Sequence, residues 1–247
     1  MPTLRDLRSL PPETLQQFLD ENLQWLGEQE TLAILENRYC SAKMIGAIAR
    51  NARLTGFYSV RARLVAHRQT PQAHATKLVH YLYWPDLLRL SVDVHVPPAV
   101  RRAIDTQLLI RVNKVTLGER ITSARRCSHA LVKALLFDPE PKVFEALLVN
   151  QRLREEDLVD LVRSGEAGVE QLRLIAGDSK WSLRYAIRKA LVMNPSTPRA
   201  VAAAQLRFLT RRDLLEIHGL PETSTYLRRC IERLPRSGFS LPAEGID

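Results

Sequence analysis

With 247 residues, 45% hydrophobic content and a net charge of +9, the chain has enough apolar mass for a substantial core and the composition of a folded protein. No apolar run approaches the roughly 20 residues needed to span a bilayer, and the opening MPTLRDLRSLPPETL lacks the apolar centre of a secretion signal, so no membrane role is expected and the expected location is the cytoplasm. Only 10 Gly, beside abundant Leu, Ala and Arg, favour helix over sheet, and the expected class is all-α.

The charge is uneven along the chain. Residues 1–36 hold 2 basic and 7 acidic side chains, residues 37–149 hold 18 and 7, and residues 150–247 hold 16 and 13. Charge of that size can attract nucleic acid, acidic protein or anionic lipid at long range. Cys40, Cys127 and Cys230 lie far apart, with no pairing that suggests a disulfide framework or a zinc site, and read as small buried residues.

In chain order, residues 1–27 read as an acidic capping segment with one amphipathic helix. Pro11, Pro12 and Glu13 suit its start, and Leu15, Phe18, Leu19, Leu23 and Leu26 form its stripe. A duplication follows. Residues 64–104 match residues 191–231 at 13 of 41 ungapped positions, a displacement of 127 that pairs TPQAHATKLVHYLYWPDLLRL with TPRAVAAAQLRFLTRRDLLEI. Upstream, residues 30–50 match 143–163 at a displacement of 113, through Ala33 and Ala146, Leu35 and Leu148, Asn37 and Asn150, and Arg50 and Arg163. About 14 extra residues therefore fall near GEAGVEQLRLIAGD in the second copy.

Copy one is placed at 28–110 and copy two at 141–236, joined by a connecting repeat at 111–140 and followed by a loose tail at 237–247. The connector is read as a short extended piece at Val112–Val115, then helices over about 117–126 and 128–137. In copy two, Gly165, Gly168, Gly177, Asn194, Pro195 and Pro221 punctuate predicted helices at roughly 154–163, 167–176, 181–193, 198–209, 211–218 and 223–234. Their apolar sets, such as Leu183, Ala186, Ile187, Ala190 and Leu191, are one-sided, so each helix needs a neighbour to cover it.

These units resemble known repeats. LRYAIRKAL from Leu183 and DPEPKVFEALL from Asp138 resemble HEAT repeats, while SVRARLVAHRQTP from Ser59 and SLRYAIRKALVMNPSTP from Ser182 resemble the leucine-rich repeat variant unit, with its Val-Arg helix start, Asn and Thr-Pro. The resemblance implies one continuous right-handed α-solenoid that binds another macromolecule along a groove. The iron-sulfur cysteine cluster of one leucine-rich variant protein has no counterpart at this N-terminus, and no catalytic pattern of the HEAT-like DNA glycosylases can be matched. No cofactor and no catalytic residue are expected.

Asp86, Asp157 and Asp213 sit in similar settings and read as helix-start residues, with Thr210 and Asp213 spaced as a capping box. Arg101 and Arg102 match Arg228 and Arg229; they suit either a ladder with acids such as Asp86 and Asp213 or contact with a ligand. Arg61, Arg63, Arg68 and Lys77, Arg125 and Arg126, and Arg184, Arg188, Lys189, Arg211 and Arg212 complete the candidate basic surface. The six histidines lack metal-ligand spacing, and no nucleophile elbow or phosphate loop is present. Phe57, Tyr58, Tyr81 and Tyr83 are expected mostly in the core. Trp84, whose counterpart is Arg211, is expected to be exposed as an anchor for a partner. The expected function is a non-enzymatic scaffold for an acidic protein partner, with phosphate-backbone binding of nucleic acid as the alternative.

Overall fold

The computed structural model describes residues 3–234, and those residues are all-helical apart from their turns. They divide between Thr116 and Leu117 into two compact units. The first contains α1 (Leu4–Ser9), α2 (Pro12–Asn22), α3 (Glu28–Glu36), α4 (Ala42–Arg50), α5 (Ala52–Gly56), α6 (Tyr58–Ala66), α7 (Gln72–Val79), α8 (Trp84–Ser91), α9 (Pro98–Arg111) and a 3-10 turn at Val112–Lys114. The second contains α10 (Leu117–Ala124), α11 (His129–Leu135), α12 (Pro141–Leu148), α13 (Glu155–Ser164), α14 (Val169–Gly177), α15 (Tyr185–Met193), α16 (Arg199–Leu206), α17 (Arg211–Gly219) and α18 (Thr225–Glu232).

The duplication is written in the helix starts. α6, α7, α8 and α9 begin 127 residues before α15, α16, α17 and α18, and α1, α3 and α4 begin 113 residues before α10, α12 and α13. Packing repeats as well: α1 on α3 corresponds to α10 on α12, and α6 on α7, α7 on α9 and α8 on α9 correspond to α15 on α16, α16 on α18 and α17 on α18. In both units the main packing partners lie at most three helices apart in chain order. Leu15, Leu19, Ile34, Ile45, Ile48 and Leu64 are buried together in the first unit, and Leu206, Leu214, Ile217 and Ile231 in the second. Each such side chain contributes about 1.5–3 kcal/mol of transfer free energy.

Short helices need defined turns, and one turn recurs. At Asn37, Asn150 and Asn194 the side-chain oxygen accepts the N–H two residues on, from Tyr39 at 2.8 Å, Arg152 at 2.8 Å and Ser196 at 2.7 Å. His67 does the same with Nδ1 for Gln69, and Asp93 with a carboxylate oxygen for His95. One residue further, the backbone N–H of Cys40, Thr70, Val96, Leu153 or Thr197 returns to the carbonyl of the first turn residue, and its side chain is buried. The three asparagines also reach back: Nδ2 of Asn37 donates to the Leu7 carbonyl at 2.8 Å, that of Asn150 to Ala124 at 2.7 Å, and that of Asn194 to Val162 at 2.5 Å. One buried amide thus closes a turn and ties it to the preceding repeat. Because Asn194 occupies the position equivalent to His67, His67→Asn is expected to leave the unfolding free energy from urea titration within about 1 kcal/mol of the native value.

The segment without a counterpart in copy one is pinned by polar contacts. Gly165 ends α13 with φ 77°, a conformation glycine adopts without the Cβ penalty. Beyond it, Gln171 donates to the Leu136 carbonyl at 3.0 Å, and Trp181, 2% exposed, donates Nε1 to the Leu148 carbonyl at 2.9 Å.

Three local expectations are corrected. Val112–Lys114 is a 3-10 turn continuing α9, not an extended piece, because the chain there still has helical dihedrals. Residues 1–27 hold two helices, not one: Thr3 and Asp6 form a capping box that starts α1 ahead of the amphipathic α2. Residues 181–184 are turn, held by Asp178 accepting from Lys180 and Trp181, so α15 starts at Tyr185. The tail expected at 237–247 lies outside the described residues. Among those described, no helix is long and apolar enough to cross a membrane, and no cluster of His, Cys, Asp and Glu is placed to hold a metal ion.

Candidate interaction site

Both copies carry the same clasp. Tyr58, the first residue of α6, donates its hydroxyl to Asp86 in the first turn of α8 and accepts the Tyr83 N–H at 3.1 Å. Tyr185, the first residue of α15, does the same with Asp213 in α17 and the Thr210 N–H at 3.0 Å. His129 and Asp157 form a third version at the same spacing of 28, with Nε2 and the carboxylate 2.9 Å apart. These aspartates therefore hold helix starts, in the role their positions imply.

Charge reinforces the second clasp. Lys189 bonds Asp213 and Glu216, both at 2.9 Å, and the hydrogen bonds from Tyr185 and Lys189 hold the Asp213 carboxyl down at about 2. Burial alone would raise the Asp86 carboxyl, but hydrogen bonds from Tyr58 and Arg89 outweigh it and the net shift is downward. A carboxyl lowered in the folded state adds stability that is complete above its ordinary value near 4 and is lost as pH falls toward 2. Thermal melts of native protein and Asp213→Asn should therefore differ most at neutral pH and converge between pH 5 and about 2. A gap that stays constant with pH would contradict this assignment.

Arginine completes the clasp. The Arg61 guanidinium lies over the rings of Tyr58 at 5.8 Å and Tyr81 at 5.7 Å, and Nη2 donates to the Gly56 carbonyl at 3.3 Å. Its counterpart Arg188 lies 3.8 Å over Phe208 and donates Nε to the Ser182 carbonyl at 2.6 Å. Arg61, Arg188 and Lys189 are thus engaged within their own units.

The copies diverge at the rim. Tyr83 stacks on Tyr58 with ring centroids 4.3 Å apart and is 65% exposed, and Tyr81 is 62% exposed. Copy two has Thr210 in place of Tyr83 and Phe208 in place of Tyr81. Copy one therefore presents two wet tyrosine rings and a guanidinium on the shared scaffold.

This reverses the expectation for the aromatic group. Trp84 is buried at 7% exposure, so it is no exposed anchor, and Tyr81 and Tyr83 are not core. The chain is extended at Tyr83, where successive side chains point to opposite sides, so Leu82 and Trp84 go inward while Tyr81 and Tyr83 go outward. A phenol tolerates that position because its hydroxyl stays hydrated. Trp25, 79% exposed in the turn after α2, is an exposed tryptophan that periodicity did not single out.

The remaining candidates separate. Asp86 and Asp213 are held by the clasps, and Arg228 instead donates to the Leu220 carbonyl at 2.8 Å, so no ladder joins them. Arg184 lies 3.9 Å from Glu155. Arg63, Arg102, Arg125, Arg126, Arg211, Arg212 and Arg229 are exposed. Arg101 lines a cleft with Arg68 and His95. Between Asn37 and Thr116 the chain carries 13 basic side chains and only three acidic ones, Asp86, Asp93 and Asp105.

Compared with models of protein families, with curated proteins and with solved structures, the chain matches none.

Proposed function

We propose that this chain is a non-enzymatic, cytoplasmic scaffold of HEAT-like or leucine-rich-variant repeats, stacked as a right-handed α-solenoid, whose first copy binds an acidic segment of another protein. The neighbour-to-neighbour packing and recurrent turn support the repeat reading. The observation that carries the binding reading is the pair Tyr81 and Tyr83, exposed beside Arg61 where copy two has Phe208 and Thr210. Tyrosine and arginine dominate the energetic centres of protein interfaces, and a rigid ring loses little conformational entropy on docking. The basic excess around the rings favours an acidic partner and speeds its encounter.

Crosslinked pull-downs with the full chain should recover specific polypeptides with acidic segments. Tyr81→Ser with Tyr83→Ser should remove them, and Tyr226→Ser, at another exposed tyrosine, should not. Recovery that ignores the double variant, or no specific polypeptide at all, would refute the reading. The same 13-to-3 excess supports a second reading, nucleic-acid binding through the phosphate backbone, with bases stacking on the exposed rings. That reading requires a low-salt gel shift with arbitrary DNA or RNA that weakens steeply as salt rises.

A further inference from the structure

The start of α9 forms a cleft of about 430 Å³ whose polar wall is Arg68, His95 and Arg101; its other lining residues are valine and proline. No carboxylate lines it. Asp93, close in sequence, accepts the His95 N–H at 2.9 Å and stays outside the lining.

Copy two holds the equivalent arginine differently. Arg228, equivalent to Arg101, donates Nη2 to the carbonyls of Leu220 at 2.8 Å and Pro221 at 3.4 Å. Where copy one has Arg68 and His95, copy two has Pro195 and Glu222. Two substitutions thus leave three basic groups in copy one where copy two keeps one arginine and a carboxylate. The Nε of Arg101 and that of Arg228 are both buried without a hydrogen-bond partner, so what distinguishes copy one is the cleft and its two added basic side chains. An oxyanion entering the cleft meets three basic side chains and no carboxylate to repel it. Two planar guanidiniums and an imidazole against an apolar wall suit a doubly charged, tetrahedral group better than a single carboxylate, because each arginine can hold two oxygens in parallel.

We propose that this cleft binds a phosphate monoester group. Isothermal titration of the full chain at neutral pH, using inorganic phosphate and a neutral peptide with and without one phosphoserine, tests it. Phosphate and the phosphopeptide should bind, and the unmodified peptide should not. Arg68→Gln and Arg101→Gln should each weaken binding about tenfold or more, while Arg229→Gln, exposed in copy two, should leave it unchanged. Arg68 is itself exposed, so its variant keeps the fold and isolates the binding effect. Tighter binding of the phosphopeptide than of phosphate would identify a modified polypeptide as the source; equal binding would identify the free ion or a small ester. No heat at millimolar phosphate, or equal binding by both cleft variants and the native chain, would overturn the proposal.

Discussion

Trp181→Ala is expected to cost about 3–5 kcal/mol of unfolding free energy, the usual range for emptying a buried tryptophan site. The indole is 2% exposed, and its Nε1 satisfies the Leu148 carbonyl at the end of α12. Alanine removes the ring volume and leaves that carbonyl unpaired. Trp181→Phe keeps most of the volume and loses the hydrogen bond, so it should cost only about 1–3 kcal/mol. Urea unfolding followed by circular dichroism separates the two, with an unchanged slope showing that stability alone has moved. Equal costs would mean that the ring is not packed as described.

Asn150→Ala is the second large effect, about 2–4 kcal/mol, although it deletes only a small side chain. The side chain is fully buried and makes three bonds that alanine cannot, from Nδ2 to the Ala124 carbonyl and to Cys127 Sγ, and from the Arg152 N–H to Oδ1. The Ala124 carbonyl is then left with only the weak Cys127 thiol as donor, and the Arg152 N–H loses its acceptor in the turn. Asn150→Asp should be no better at neutral pH, since it keeps the acceptor but turns a carboxylate oxygen toward the Ala124 carbonyl. A melting midpoint within about 1 °C of native for either variant would contradict the brace.

Much of this architecture was legible in the amino-acid sequence. The displacements of 127 and 113 reappear as helix starts, because a shared turn residue and a shared buried position after it place the same helix in both copies. The Thr-Pro pairs at Thr70 and Thr197 mark those turns since threonine closes the turn as its buried fourth residue and proline then precedes the next helix. The extra segment in copy two was also visible as a change of displacement.

The site was less legible. Exposure at Tyr81, Tyr83 and Trp84 follows a two-residue alternation in an extended turn, whereas helix periodicity and the polarity of Arg211 pointed the other way. The partners of the arginines are rings or acids one helix or more away in sequence, such as Tyr81 for Arg61, Phe208 for Arg188 and Glu155 for Arg184, or carbonyls, and neither leaves a pattern in composition. Arg61 and Arg188 show this: both lie on a candidate basic face, and both spend part of their charge on aromatic rings of their own unit.

The duplication supplies its own control for the binding reading. A photoreactive benzophenone side chain can be placed at Tyr83 in one variant and at the equivalent Thr210 in another, on the same clasp and at comparable exposure. Irradiation is expected to join an acidic polypeptide to position 83 and not to position 210. Equal capture at both positions, or capture at 210 alone, would contradict a partner-binding face built on the first copy.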